Sequence, residues 1–257
     1  MAQLFHRSTN SLARLSILGG LFVAVTTLGV LFELQRSTYV TRQDEAIVQN
    51  PPFSHEHHVG GMGIDCRYCH TSVENSNFAG IPPTRTCMNC HAQIWTNAPM
   101  LEPVRDSFRT GKNLVWIRVH DLPDYVYFDH SIHVNKGIGC ESCHGPVDHM
   151  KLTYEANSLQ MEWCLDCHRN PVKFIRPTQV YEDVKEDENH KFISGVENDS
   201  NVFNMKYQQP SGNNPVWAKI DGQPKRFDDQ YIMGNELVKA YHLRSEPDIT
   251  SCNTCHR

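Results

Sequence analysis

The sequence has no cysteine outside one short motif. All ten cysteines of the 257 residues lie in five copies of the pentapeptide C-x-x-C-H. The copies are Cys66–His70, Cys87–His91, Cys140–His144, Cys164–His168 and Cys252–His256. No thiol is therefore left for a disulfide or a cysteine nucleophile, and five copies that use every cysteine argue against a zinc site.

The sequence also has little net charge of either sign. It carries 24 Lys and Arg against 29 Asp and Glu, a formal net charge of −5. No basic stripe is present, which argues against a nucleic-acid partner.

The repeated pentapeptide predicts five covalently bound haem c groups. In C-x-x-C-H the two thiols form thioethers with the haem and the histidine binds the iron from one side. The predicted attachment cysteines are Cys66, Cys69, Cys87, Cys90, Cys140, Cys143, Cys164, Cys167, Cys252 and Cys255. The predicted proximal iron ligands are His70, His91, His144, His168 and His256.

Five haems in 257 residues leave about 51 residues for each one. The porphyrins should then form much of the core, and we expect mostly coil with short helices around the haems. The haem propionates add further negative charge to the folded protein.

One long apolar run lies near the N-terminus. The 18 residues from Leu15 to Phe32 carry no charge and would span about 27 Å as a helix, close to the roughly 30 Å of a bilayer core. We predict a transmembrane helix over residues 15–34, after a cytoplasmic segment of residues 1–14.

A cleaved signal peptide is the alternative reading of this run. Such peptides have a shorter apolar region and end in a small-x-small site, which the Phe32–Arg36 sequence lacks. Arg7 and Arg14 place the N-terminus in the cytoplasm and the rest outside. The predicted location is the cytoplasmic membrane, with the haem domain on the periplasmic side, where haem c is attached.

Two stretches of the chain, residues 53–70 and 128–144, have nearly the same sequence. Each contains F-x-H-x-x-H, a turn with glycine, and C-x-x-C-H. The repeat predicts a connector over residues 35–52 and two dihaem modules, 53–91 and 128–168. A bridge, residues 92–127, joins the modules; its alternating segment Leu114–Val119 suggests a short strand.

Residues 169–257 form a proline-rich C-terminal arm that carries the fifth motif. The arm contains an acidic run, Glu182–Glu188, and no clear helical period. We expect it to wrap over the other haems or over a partner subunit, and a partly disordered spacer is the alternative.

The paired histidines before the first and third motifs are the predicted sixth ligands. His55 and His58 match His130 and His133 in the repeat. Residues i and i+3 of a helix share a face, so one pair can serve two neighbouring haems. His57 has no equivalent in the second copy and is predicted to be a surface residue.

One iron is left without a ligand by this assignment. His120 is the first candidate and Met150 the alternative, followed by His149, Met161 and His242. Two protein ligands close an iron to substrate, so the chain is predicted to relay electrons and to have no catalytic residues of its own. The unassigned iron leaves a reductase possible.

The run from Trp116 to Val134, with Cys140–Gly145 and Met161–Arg169, resembles the pentahaem cytochrome subunit of alternative complex III. The F-x-H-x-x-H and C-x-x-C-H pattern is similar to the small multihaem cytochromes of class III. The resemblance covers residues 53–176, the N-terminal anchor in kind and the last haem in placement.

The resemblance implies a membrane quinol oxidoreductase. Its integral subunits oxidise quinol, and its other partners are an iron–sulfur subunit and a monohaem cytochrome c. Electrons then pass to a soluble carrier or a terminal oxidase.

Two other functions fit parts of the sequence. One is a free-standing, membrane-anchored multihaem quinol dehydrogenase that feeds periplasmic reductases. The other is a multihaem nitrite or hydroxylamine reductase, although all five attachment motifs are regular.

Overall fold

The computed structural model describes His6 and residues 8–256. Residues 1–5, Arg7 and, at the end of the predicted arm, Arg257 lie outside the described residues. The chain divides into two compact units, one up to Asp44 and one from Glu45 onwards.

The first unit consists of helix α1, Ser8–Arg36, and the short helix α2, Thr38–Thr41. Helix α1 is 29 residues long and contains the predicted span 15–34. Within the described part of the chain it is the one helix long and apolar enough to cross a membrane. Its apolar side chains are exposed, as on a helix that has no protein around it, and Arg36 lies over the ring of Phe32.

The second unit begins with helical segments that are short, as predicted. They are a π-helical turn Glu56–Gly61, α3 Cys66–Cys69, α4 Thr84–His91, a 3-10 turn Pro99–Leu101, α5 Glu102–Thr110, α6 His130–Asn135, α7 Cys140–His144, a 3-10 turn Val147–His149 and α8 Met161–Arg169. Asp129 caps α6, since its carboxylate accepts hydrogen bonds from the backbone N–H groups of Ser131 and Ile132.

The C-terminal arm is more ordered than the sequence suggested. It contains 3-10 turns Pro171–Lys173 and Asn201–Phe203, strands β1 Val180–Glu186, β2 Phe192–Asn198, β3 Val216–Ile220 and β4 Gln223–Phe227, and helices α9 Gln230–Ala240, α10 Glu246–Ile249 and α11 Cys252–Cys255. The strands form one antiparallel sheet in the order β2-β1-β3-β4.

The arm has its own hydrophobic core. Ile175, Ala218, Phe227, Met233 and Leu237 are buried together between the sheet and α9. The alternative of a partly disordered spacer, and the expectation of mostly coil, therefore do not describe residues 169–240. That the arm wraps over the other haems or over a partner subunit stays a prediction.

The acidic run Glu182–Glu188 lies mainly in β1, where its carboxylates have cross-strand partners. Glu182 accepts a hydrogen bond from the Asn198 amide at 2.6 Å. Glu186 accepts from the Trp217 indole at 2.7 Å and from Arg226 at 2.9 Å. Pairing across neighbouring strands makes a charged sequence compatible with a sheet.

The strand suggested at Leu114–Val119 is absent from the structure. Instead, the side-chain amide of Gln49 forms two hydrogen bonds with the backbone of Ile117. Its Nε2 donates to the Ile117 carbonyl at 2.8 Å, and its Oε1 accepts from the Ile117 N–H at 2.9 Å. The glutamine side chain thus satisfies the backbone N–H and C=O groups of Ile117 that a neighbouring strand would otherwise pair.

Arg176 joins the arm to the third motif. Its side chain is 2% exposed and forms an ion pair with Glu141, inside that motif, at 2.6 Å. The guanidinium also donates to the carbonyls of Val202 and Asn204 and lies over the Tyr207 ring. A buried charge pair of this kind depends on both partners, since either one alone would be left uncompensated.

We predict that Arg176→Ala lowers the free energy of unfolding by about 3–5 kcal/mol, because Glu141 is left buried without its partner. Arg109→Ala is the control. Arg109 pairs with Asp106 but is 75% exposed, so its loss should cost about 1 kcal/mol or less. Chemical denaturation of the full chain in detergent measures both; equal losses would contradict the role given to Arg176.

Candidate haem sites

Each C-x-x-C-H motif lies on a helical turn. The five motifs form or end helices α3, α4, α7, α8 and α11. Thiols at positions i and i+3 of such a turn lie on one face, as two thioether bonds to one porphyrin require. None of the ten cysteines forms a disulfide bond.

Four of the five motif histidines are held by a hydrogen bond to a backbone carbonyl. The acceptors are Gly80 O for His70 at 2.7 Å, Ile94 O for His91 at 3.2 Å, Ile249 O for His168 at 2.8 Å and Tyr125 O for His256 at 3.1 Å. A carbonyl can only accept, so Nδ1 carries the proton in each ring. The Nε2 lone pair is then free for a metal ion.

The paired upstream histidines have the same geometry in both copies of the repeat. His58 stacks on Phe53 and His133 stacks on Phe128, each with ring centres 4.6 Å apart. His55 and His130 meet the same phenylalanines edge-on, at 4.9 Å and 4.8 Å. The phenylalanine of each repeat therefore fixes the directions of two imidazoles.

The upstream histidines are also held through Nδ1. His58 donates to Ser54 O at 2.8 Å and His133 to Asp129 O at 2.7 Å, both within their own turn. His130 donates to Asn77 O at 2.8 Å, and His55 Nδ1 lies 3.0 Å from the Thr153 hydroxyl. Asn77 belongs to the first predicted module and Thr153 to the second, so each module holds one histidine of the other.

Three upstream histidines face motif histidines at one characteristic distance. The ring centres are 6.2 Å apart for His58 and His91, 6.3 Å for His130 and His144, and 6.0 Å for His133 and His168. Imidazoles on opposite sides of one metal ion have ring centres about 6 Å apart, because each metal–nitrogen bond is about 2 Å and the ring centre lies roughly 1 Å beyond. The donor set and spacing fit a haem iron.

His55 has the environment of a neutral ligand. Burial, and after it the nearby imidazole of His70, lowers the pKa of His55 to about 4. A neutral ring can offer its lone pair to a metal at neutral pH. His55 occupies the position in the first copy of the repeat that His130 occupies in the second. Since His130 faces the first motif of its own module, the repeat pairs His55 with His70.

The structure places His120 beside the third motif. Its Nε2 lies 3.3 Å from Nδ1 of His144, and the two ring centres are 4.3 Å apart. Burial, and then neighbouring imidazoles, His120 first, lower the pKa of His144 to about 3. His120 thus takes the position that a backbone carbonyl occupies at the other four motif histidines, a placement that the sequence did not suggest.

Other residues bear on the iron that the assignment leaves without a sixth ligand. Met150, the alternative candidate, is buried, with 2% of its surface exposed. The ring that meets His256 is that of Tyr125, at 5.7 Å. His57 is exposed and stacks on Trp95, in keeping with its predicted surface position.

No group of three or more His, Cys, Asp or Glu side chains among the described residues could hold a bare metal ion. A haem brings four nitrogens of its own, so two imidazoles complete its iron. The histidine pairs fit that requirement.

Two comparisons with known proteins agree with this geometry. Residues 126–193 match the model of the family described as cytochrome c7 and related cytochrome c. The chain is also similar to the multiheme cytochrome c subunit of menaquinone reductase from Nitratidesulfovibrio vulgaris, with 31% identity over 139 residues. That alignment covers 46% of this chain and 66% of the relative, just under two thirds of its length. The matches support a multihaem cytochrome c domain with covalently bound haem c.

We predict that Thr153→Val raises the reduction potential of one haem. The change removes the hydroxyl beside His55 Nδ1, and a less basic imidazole stabilises ferric iron less. Each tenfold change in the one-electron equilibrium is about 59 mV. Thr110→Val, which removes an exposed hydroxyl bonded to the Asp106 carbonyl, is the control. Redox titration that gives equal curves for both variants would contradict this role.

Proposed function

We propose that this chain is the electron-transfer subunit of a membrane quinol oxidoreductase and carries five haem c groups. The carrying observation is the set of histidine pairs with ring centres 6.0–6.3 Å apart. Haem c bound between two such imidazoles supplies one-electron redox chemistry. Iron closed on both sides has no position for a substrate, which favours a relay over an enzyme.

The proposed ligand pairs follow the repeat. His55 and His70 serve the first motif, His58 and His91 the second, His130 and His144 the third, and His133 and His168 the fourth. His256 is the proximal ligand of the fifth motif. Each Nδ1–H bond holds its ring in one orientation, so the chain keeps both imidazoles aligned whichever oxidation state the iron has.

His120, the first candidate for the remaining iron, is assigned differently in this proposal. Its Nε2 faces His144, which already has His130 at 6.3 Å. We therefore propose His120 as a hydrogen-bond partner of the third motif rather than as a ligand of the remaining iron.

The membrane part of the proposal rests on α1 and on the relative. Helix α1 has the length and composition of a single span, and the similar protein is named as a subunit of menaquinone reductase. We propose that α1 anchors the chain in the cytoplasmic membrane with the haem domain on the periplasmic side.

The finer assignment is the pentahaem cytochrome subunit of alternative complex III. Integral quinol-oxidising subunits, an iron–sulfur subunit and a monohaem cytochrome c would be its partners, and a cytochrome or terminal oxidase would be the acceptor. The resemblance of residues 116–134 supports this assignment.

A free-standing quinol dehydrogenase is the second candidate, since it would also have one N-terminal span. We predict that a quinol analogue reduces the haems of the purified complex quickly but leaves those of the separated subunit oxidised. The measurement is haem absorbance in mild detergent. Fast reduction of the separated subunit would contradict the relay and favour the dehydrogenase.

The ligand assignment predicts a selective effect of His133→Met. Replacing imidazole by a thioether favours ferrous iron, so one haem should titrate at a higher potential while the others stay unchanged. His57→Met, one of the exposed histidines, is the matched control and should change none. Potentiometric titration of both variants tests this, and an unchanged curve for His133→Met would overturn the fourth pair.

A further inference from the structure

We propose that the five haem motifs form a single row in the spatial order second, first, third, fourth, fifth. This order differs from that along the chain and rests on the proposed function, in which all five motifs carry haem. The first and third motifs are neighbours at the centre of the row, and the second and fifth are its ends. Contacts between motif residues carry each step.

The second motif adjoins the first. Asn89, inside the second motif, donates to the hydroxyl of Tyr68, inside the first, at 3.0 Å. His55 and His58, one turn apart, link the same two sites.

The first motif adjoins the third through the core between the modules. Cys66 belongs to the first motif and Cys140 to the third. Both cysteines pack against the buried cluster that contains Val73, Val134 and Phe203.

Hydrogen bonds between residues 74–77 and residues 130–135 reinforce the contact between the first and third motifs. His130 and Ser131 are bonded to the carbonyls of Asn77 and Ser76, and Asn135 donates to Glu74 O at 2.8 Å. Residues 74–77 follow the first motif after three intervening residues. Residues 130–135 form α6, just before the third motif. These hydrogen bonds join the segment after the first motif to the helix before the third.

The third motif adjoins the fourth through helix α6. His130 and His133 lie one turn apart and face His144 and His168, at 6.3 Å and 6.0 Å. The two sites served by α6 are therefore neighbours.

The fourth motif adjoins the fifth at α10. This helix packs against α8, and its last residue, Ile249, accepts the Nδ1 hydrogen bond of His168 at 2.8 Å. The fifth motif follows three residues later, so the end of the chain extends the row beyond the fourth site.

The ends of the row are also the most exposed attachment points. Of the ten cysteines, Cys90 in the second motif and Cys252 in the fifth are the exposed ones. A redox partner that approaches from solvent would reach these sites first. The second and fifth motifs are thus the sites at which electrons would enter and leave.

The test compares a variant that lacks the first haem site with a variant that lacks the second. Both variants are made in the full chain and also carry His130→Met, which raises the potential of the third site and so marks it. One variant adds Cys66→Ser and Cys69→Ser; the matched variant adds Cys87→Ser and Cys90→Ser. The haem content of each protein is counted by mass, and the potential of the marked site is measured by redox titration followed by electron paramagnetic resonance.

The proposed order predicts that loss of the first site shifts the potential of the marked site, since the charge of an adjacent haem is lost. Loss of the second site should leave that potential unchanged. A larger shift on loss of the second site, or no shift in either variant, would overturn the order. Fewer than five haems in the unaltered protein would instead overturn the proposed function.

A second pair of variants keeps every attachment cysteine, in case a serine variant does not assemble. His55→Met alters the first site and His58→Met the second, each together with the His130→Met marker. Each added change makes its own haem accept an electron earlier in the titration. The potential of the marked site should then respond to His55→Met and not to His58→Met, and the reverse pattern would overturn the order.

Discussion

The haem sites depend on one repeated interaction, the hydrogen bond from Nδ1 of an imidazole to a backbone carbonyl. It occurs at four of the five motif histidines and at His58, His130 and His133 upstream. An imidazole held in this way presents Nε2 in a fixed direction, and its proton cannot move to that nitrogen without breaking the bond. The chain therefore fixes the orientation of these imidazoles with its own backbone. This explains how so much coil can define several predicted sites precisely.

The same interaction joins the two modules. His130 is bonded to a loop of the first module and His55 lies against a hydroxyl of the second, so neither module completes its ligands alone. The two predicted modules are in this way joined into one structure. Arg176 extends the dependence to the C-terminal arm, since its ion pair with Glu141 ties the sheet-containing region to the third motif.

The predicted haem ligands could be named from the sequence, because they lie in short local motifs. The repeat predicted that its paired histidines stand together, and the predicted span 15–34 lies within one long helix. Contacts between residues far apart were not readable: Thr153 is 98 positions from His55, and Asn77 is 53 from His130. The sheet was missed because its charged residues, such as Glu186, are paired only once the strands come together. The position of His120 beside His144 was not foreseen because the fold alone brings these two rings together.

The central claim is that this chain conducts electrons through irons closed by histidine pairs. The most direct test is electron paramagnetic resonance of the oxidised, purified protein, integrated against its haem content, with and without nitrite. We predict at least four low-spin haems per chain with bis-imidazole character, unchanged by nitrite. Fewer than four such haems, or several high-spin ferric haems that shift on adding nitrite, would contradict the claim.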